Sequence, residues 1–519
     1  VLTGSERRRP RFWWIEASAV GVVVVVGLVL RFWTSSHLWL DEALSVDIAR
    51  LPAGQITEAL RHDGHPPLYY FLLHGWMDVF GQGDVAVRSL SGVLSVAALP
   101  LAWLAGRRVA GRPGAWAALV LLALSPFAIR YATETRMYSL VMLLVLAGYL
   151  LVAQALDAPK AWTLVSISVL TGLLLLSHYW GLWLVTAVIA VLAFVAWRTA
   201  GDVRGRVVKV AVAVAGGGLL LVPWLPVMLD QAAHTGTPWA APVRPTTIVT
   251  QTLQDVGGGD YAEAVLLGFA LLALFGLGLF GRAIDARRIE LDVRTVPQVR
   301  WESAVVGATI VLASAAGYAT RTTFASRYAS VFVPLFMIVV AVGLTRFEGR
   351  VVRGLVASGV LALGLVGGVH NVITDRSQAG DITSAIRAGA TPADLVVICP
   401  DQLGPSVHRL LPKDLDQVTY PLLAGPDLVD WRDYEERNAA ADPRAAAEKV
   451  VERARAEHAA NLWLVTSGSY KTFEGQCETL LAELSARLGN GEGLIAEDNG
   501  PFFEYASLFR FSVPPASGP

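Results

Sequence analysis

Eleven apolar runs of roughly 20 residues constrain this sequence more than any other feature. A helix rising about 1.5 Å per residue needs about 20 residues to cross a hydrocarbon core of ~30 Å. Runs of that kind lie near 15–35, 87–106, 113–131, 137–156, 161–178, 180–197, 207–228, 262–281, 302–319, 328–345 and 351–370. Hydrophobic residues make up 54% of the 519 and charged residues only 16%, against about 25% charge in a soluble domain. The chain therefore reads as a polytopic α-helical membrane protein of about eleven spans. The basic start "RRRPRFWW" precedes an apolar run with no A-x-A cleavage pattern after it. It reads as a retained first span rather than a cleaved signal.

Charge divides the chain in two. Residues 1–370 hold 29 basic and 21 acidic side chains, a net of +8, and residues 371–519 hold 13 and 22, a net of −9. The first part reads as a transmembrane domain (1–370) and the second as a separate domain (371–519). The acidic end argues against nucleic acid, because phosphates need a basic footprint. With the N-terminus inside, twenty basic residues of the membrane part face the cytoplasm, Arg107, Arg108, Arg112, Arg287 and Arg288 among them, and nine face out. The positive-inside rule favours that orientation. Eleven spans then place residues 371–519 outside the membrane. Scarce lysine beside abundant Arg, Ala, Gly and Val suggests a GC-rich bacterial genome, so the expected location is a bacterial plasma membrane.

The outer loop 36–86 holds two short amphipathic segments, "DEALSVDIARL" and "PPLYYFLLHGWMDVF". The second is expected to lie in the interface, where Tyr and Trp are favoured. In 371–519 the strand-like "DLVVICP", "QVTYP", "NLWLVTSG" and "ASLFRFSV" alternate with the helix-like "SVHRLL", "PRAAAEKVVERARAEHA" and "FEGQCETLLAELSARL". That alternation predicts a small α/β domain without a phosphate-binding loop. Its two cysteines, Cys399 and Cys477, are too few to define a disulfide framework.

The candidate chemistry gathers on the outer side, where all nine histidines fall in this topology. "HLWLDEALSV" puts Asp41 and Glu42 just past the first span. Alone, the pair reads as an ordinary helix N-terminus. Trp39 and Leu40 before it place it at the interface, where partial desolvation raises carboxylate basicity. "RHDGHPPLYYF" clusters His62, Asp63 and His65 ahead of two prolines. It suits either a helix start or a metal or phosphate site. Three further outer ends supply Arg130, Glu134 and Arg136, then His178, then Arg321 and Arg327. Each alone reads as an interfacial anchor. Together, carboxylates and guanidiniums fit chemistry on an anionic, lipid-linked substrate.

These stretches, with "VRSLSGVLSV…GRRVAG", "RYATETRMYSL" and "SRYASVFVPL", resemble the GT-C class of membrane glycosyltransferases. The resemblance is to the dolichyl-phosphate-mannose-protein mannosyltransferase-like family, which includes bacterial aminoarabinose transferases acting on lipid A. It implies inverting transfer of a sugar, mannose or another pentose or hexose, from a polyprenyl-phosphate donor to an extracytoplasmic cell-envelope glycan, lipid or protein. It implies a catalytic Asp at Asp41 with Glu42 beside it, and donor-phosphate ligands at Arg136 and Arg327. A divalent metal (Mg, Mn, Ca or Zn) is a candidate cofactor, with Asp63, His65 and His178 as its candidate ligands. The aminoarabinose enzymes carry an acid and a lysine where this chain has Gly64 and His65. The competing readings are a lipid-linked sugar or polysaccharide transporter, since buried charges also mark transport paths, and a binding role for the C-terminal domain. Internal repeats typical of transporters are not evident. For topology, an alkaline phosphatase fusion at Pro519 is expected to be active and a cytoplasm-dependent reporter there silent. The reverse result would put the C-terminal domain inside.

Overall fold

The computed structural model describes residues 11–237, 244–320, 324–500 and 502–514. Its first half is helical: α1 Arg11–Leu30, α2 Leu40–Ala49, α3 Ala53–Asp63, α4 Leu68–Phe80, α5 Asp84–Ala123, α6 Pro126–Ala132, α7 Tyr138–Asp157, α8 Ala161–Leu175, α9 Gly181–Arg198 and α10 Gly201–Gly216. A 3-10 stretch, Gly217–Trp224, leads into α11 Leu225–His234, followed by α12 Pro245–Gly257 and α13 Ala262–Phe280. A hairpin of β1 Gly281–Asp285 and β2 Arg288–Leu291 precedes α14 Arg300–Thr320, α15 Val333–Thr345 and α16 Arg350–Ile373.

Among the described residues, seven helices are long and apolar enough to cross a membrane, and three shorter apolar helices accompany them. One of the seven, α5, is two helices joined at Ala110–Gly111, where Gly111 takes φ 62°. Glycine is what allows that turn. Seven, three and one more from the division of α5 make eleven segments, one for each expected span. Several ends shift by up to five residues, α1 stopping at Leu30 and α15 starting at Val333 among them, and two runs are reshaped for local reasons. The run at 113–131 is interrupted at Leu124, and the Ser125 hydroxyl accepts from Ala128 N–H to start α6, with Pro126 in its first turn. The run at 207–228 tightens to 3-10 geometry around Pro223, which cannot donate to an α-helical ladder. The outer loop holds three helices rather than two. The missed one, α3, is polar enough ("AGQITEALRHD") to read as a linker, yet Ile56 and Leu60 are fully buried.

Residues 379–513 form the expected α/β unit. Strands β3 Leu395–Cys399, β4 Asp416–Thr419, β5 Asn461–Thr466, β6 Glu492–Ile495 and β7 Ser507–Ser512 make one sheet in the order β4-β3-β5-β7-β6. β3 pairs parallel with β4 and β5, and β7 runs antiparallel to both β5 and β6. Helices α17 Ala379–Gly389, α18 Gly404–Leu410, α19 Tyr434–Ala439, α20 Pro443–Ala456 and α21 Gln476–Leu488 pack around it. β3 is buried along its whole length, as a central parallel strand covered on both faces should be. β6 was not expected, because "EGLI" is short and mostly exposed at the sheet edge. Cys399 and Cys477 are bonded, tying the end of β3 to α21. A disulfide fits an oxidising, extracytoplasmic setting.

This unit sits on the outer-loop helices. Arg409 Nε and Nη2 reach Asp84 Oδ1 at 3.1 and 2.9 Å, Arg432 makes a two-pronged pair with Asp230 at 2.8 and 3.2 Å, and Arg50 pairs with Asp427. His62 Nδ1 meets Asp430 Oδ1 at 2.8 Å, while Trp431 N–H donates to His62 O at 2.9 Å. His62 is thus a docking contact. The contact also bears on topology. Loop 36–86 and residues 371–519 lie at the same end of the bundle, so an even number of crossings must separate them. The ten segments between α5 and α16 meet that requirement.

Candidate active site

The site is built on the first turn of α2. Trp39 occupies the N-cap position with extended backbone and no side-chain cap, and Asp41 and Glu42 follow in the first turn. Neither acid is the cap. That role falls to Glu504, 464 residues away, whose Oε2 accepts the Leu40 N–H at 2.7 Å. Its Oε1 accepts the hydroxyls of Ser377 and Ser406, both at 2.5 Å. The C-terminal unit therefore closes the helix end from which Asp41 projects, where a carboxylate is favoured by the helix dipole.

Adjacent helical residues point about 100° apart, so the two acids face different surroundings. Glu42 is fully buried. Arg88 Nε donates to its Oε1 at 2.7 Å and Arg88 Nη2 to its Oε2 at 2.6 Å, a bidentate pair. The Thr135 N–H adds a bond to Oε1 at 2.9 Å, and Arg376 Nη1 stands 3.7 Å from Oε2. Arg88 also donates to the carbonyls of Ser36 and His37. Both oxygens of Glu42 are thus held inside the protein.

Asp41 differs. Its side chain is 16% exposed, and Oδ2 lies 3.5 Å from Arg327 Nη2 but has no hydrogen-bond partner. It opens on a pocket of about 290 Å³ between the start of α2, Arg327 and loops of the C-terminal unit. On the other side, Arg136 Nη1 donates to the Asp41 carbonyl at 3.3 Å and to Ser45 Oγ at 2.9 Å. Arg136 and Arg327, expected as phosphate ligands, thus flank Asp41. Close by, the rings of Tyr138, His178 and Tyr328 pack in sequence at tilted angles, with centroids 5.8 and 5.1 Å apart. The Trp180 N–H donates to His178 Nδ1 at 3.1 Å, so the imidazole carries its proton on Nε2. That Nε2, the Tyr138 hydroxyl, Arg136 Nε and Ser330 Oγ are all buried without a partner in the protein. Three unsatisfied groups able to donate, together with the unsatisfied Nε of the Arg136 guanidinium, form an environment that an anion would complete.

Asp63 and His65 belong to a chain leading to the same place. Tyr70 OH donates to Asp63 Oδ2 at 2.7 Å, His65 Nδ1 meets that oxygen at 2.8 Å, and Arg136 Nη2 donates to His65 Nε2 at 2.8 Å. Burial pushes the Asp63 carboxyl up, but His65 and Arg136 outweigh it and hold it below the usual carboxylate range. Both ring nitrogens of His65 are therefore spent on protein partners, and Nδ1 of His178 is spent on Trp180. The divalent-metal expectation for Asp63, His65 and His178 does not fit this donor set. No group of three or more His, Cys, Asp or Glu side chains disposed for a metal occurs among the described residues. The three instead orient Arg136 and supply a donor.

Sequence reasoning missed Arg88, Arg376 and Glu504 as parts of this site. A charge at the mouth of an apolar span, as in "AVRSLSGVL", was the available signal for Arg88. Nothing local distinguishes Glu504. Glu134 was noted only as an interfacial group. It is fully buried, 3.9 Å from Arg130, and neither carboxylate oxygen has a hydrogen-bond partner.

Comparison with solved structures identifies the architecture. The structure of ArnT from Cupriavidus metallidurans in the apo state aligns over 96% of this chain and 98% of its own, with TM-score 0.61 and 14% identity. The structure of the same protein bound to undecaprenyl phosphate aligns over 98% and 100%, with TM-score 0.57 and 13% identity. The Archaeoglobus fulgidus oligosaccharyltransferase in complex with Zn and sulfate aligns over 94% and 72%, with TM-score 0.52 and 14% identity. The chain has the GT-C fold. Residues 64–228 match the family model for dolichyl-phosphate-mannose-protein mannosyltransferase, a range that includes His65, Arg136 and His178 but not Asp41 or Arg327. No curated protein matches in sequence.

Two outcomes follow. Arg88→Ala leaves Glu42 buried without its bidentate partner, and losing one side of such a pair costs about 3–5 kcal/mol. The variant is expected to lose a large part of its thermal stability in detergent, whereas Asp41→Asn should not. The second concerns Glu504, whose carboxyl burial pushes up to about 7 against the pull of the Ser377 and Ser406 hydroxyls. The folded state then holds this proton more tightly than the unfolded chain does. Its contribution to stability is present below about 4.5, the ordinary glutamate value, and is lost as pH rises to about 7. Between pH 5 and 8 the wild-type melting temperature should fall relative to Glu504→Gln. Parallel profiles would contradict this.

Proposed function

We propose that the protein is an inverting glycosyltransferase that takes a sugar from a polyprenyl-phosphate donor on the outer side of the membrane. The observation that carries the reading is the arrangement at Asp41: a carboxylate oxygen without a hydrogen-bond partner beside a pocket, next to two guanidiniums and several unsatisfied donors. ArnT, of the same fold, has been captured with undecaprenyl phosphate, which supports a lipid-linked phosphate as the anion.

In the proposed step Asp41 accepts the proton of an acceptor hydroxyl. The freed oxygen attacks the anomeric carbon, and the bond from that carbon to the phosphate oxygen breaks with its electron pair going to the phosphate. Polyprenyl phosphate leaves, and Arg136, Arg327, the His178 Nε2–H and the Tyr138 hydroxyl balance its growing charge. The Asp63–His65 pair holds Arg136 in place. Glu42 takes no proton in this scheme; its role is to fix the turn that carries Asp41. A cavity of about 430 Å³ among α7, α8, α9, α10 and α14, lined mainly by Leu and Val, has the right chemistry for the polyprenyl chain. Its wall includes Leu174, whose carbonyl accepts the His178 N–H, so it begins one turn from the phosphate-binding groups. The transporter alternative explains the buried charges but gives no use for a carboxylate poised at this pocket.

Asp41→Asn keeps shape but removes the base. A positioned general base is worth about 10²–10⁴ in rate. The variant is expected to fold, to bind a labelled polyprenyl-phospho-sugar within about threefold of wild type, and to transfer at least ~10²-fold more slowly. Normal turnover by Asp41→Asn would move the base elsewhere, with Glu134 the next carboxylate to test.

A further inference from the structure

The pocket at Asp41 has a second half that the transfer chemistry does not use, and it comes from the C-terminal unit. Twelve residues line the pocket. Five of them are aromatic: Trp39, Trp431, Tyr470, Phe503 and Tyr505. Aromatic residues make up only 9% of the chain. Six more are polar or charged, among them Gln402, Ser469 and Lys471, and Leu40 is the single aliphatic member. Phe503 remains 48% exposed while the Arg130 guanidinium stacks on it at 4.4 Å and Trp39 packs beside it with ring centroids 6.2 Å apart. Trp431 is braced against Tyr434 with centroids 4.8 Å apart, and its N–H is bonded to the outer loop. These rings are therefore held in place rather than trailing from loops. Two buried polar atoms at the pocket lack partners in the protein: the Trp39 indole Nε1–H, a donor, and Asp41 Oδ2, an acceptor.

We propose that this pocket is the acceptor subsite and that it takes a sugar ring, so the acceptor is a carbohydrate hydroxyl. This rests on the glycosyltransferase reading above and names its second substrate. A pyranose or furanose presents C–H faces that stack on aromatic rings and hydroxyl edges that need donors and acceptors, and this lining supplies both in nearly equal measure. One hydroxyl placed here donates to the Asp41 carboxylate, which is the bond the transfer requires of the nucleophile. The Trp39 indole N–H is free to donate to a further oxygen of the same ring. An acyl chain would meet only one aliphatic side chain. An extended peptide would need a row of backbone partners, whereas here six separate chain segments contribute side chains.

The test uses the full chain in detergent micelles or nanodiscs. Binding of mannose, arabinofuranose and galactose disaccharides, each free and attached to a lipid, is compared with that of a Ser/Thr peptide by calorimetry in the absence of donor. At least one saccharide is expected to bind, and the free and lipid-attached arms tell a soluble from a membrane-held glycan. Trp431→Ala should weaken that binding at least tenfold, and Trp431→Phe should restore it to within about threefold. Because Trp431→Ala could disturb docking, Ser469→Trp, which fills the pocket without removing a contact, should also weaken binding tenfold. Release of labelled polyprenyl phosphate to water by wild type reports on the glycosyltransferase reading separately. Binding of the peptide but of no saccharide, no binding by any of these probes, or saccharide binding indifferent to both Trp431→Ala and Ser469→Trp would each overturn the acceptor assignment while leaving donor cleavage as its own result.

Discussion

The buried pair between Arg88 and Glu42 is the interaction on which the rest of the site depends. It joins the start of the long helix α5 to the first turn of α2, and through Thr135 and Arg376 it reaches the segment after α6 and the entry to the C-terminal unit. A paired charge this deep is seldom a net gain over apolar packing. Its value here is positional. With both Glu42 oxygens clamped, α2 cannot rotate, and Asp41 one residue earlier is held at the pocket beside Arg327. Glu504 fixes the same turn from above by accepting the Leu40 N–H. The helix end is thus gripped by the membrane bundle on one side and by the C-terminal unit on the other.

That double grip gives the C-terminal unit a part in the site that its own fold does not advertise. It supplies a cap for α2 and most of the aromatic wall around Asp41. Its ion pairs with the outer loop, through Asp84, His62 and Arg50, and with α11, through Asp230, hold those contributions in register. Separating the unit from the bundle would uncap the helix and open the pocket in one event.

Division of labour among the acids follows the same logic. Asp41 and Glu42 are neighbours in sequence, and composition cannot rank them. The helix places one against a bidentate guanidinium in the interior and the other against a pocket with an unsatisfied oxygen. Asp63, His65 and His178 look like metal ligands as residue types, yet hydrogen bonding spends both nitrogens of His65 on Asp63 and Arg136 and Nδ1 of His178 on Trp180. A donor set is defined by free lone pairs in space, and residue spacing does not report those.

The sequence by itself determined the membrane character, the number of apolar segments and the alternating α/β pattern of the C-terminal unit. These follow from local quantities, the length of an apolar run and the period of burial, which need no knowledge of distant contacts. It also brought Asp41, Arg136 and Arg327 forward as candidates, because charges at the ends of membrane helices are costly and stand out. Only the tertiary structure decided that Glu42 is clamped by Arg88, that His62 is a docking residue and that Glu504 caps α2 across 464 positions. It also decided that Trp39, Trp431 and Phe503 meet in one pocket. Each of these is a pairing between residues far apart in the chain. Which partners meet is set by how the helices and the sheet pack against one another, and no short stretch of sequence encodes that packing.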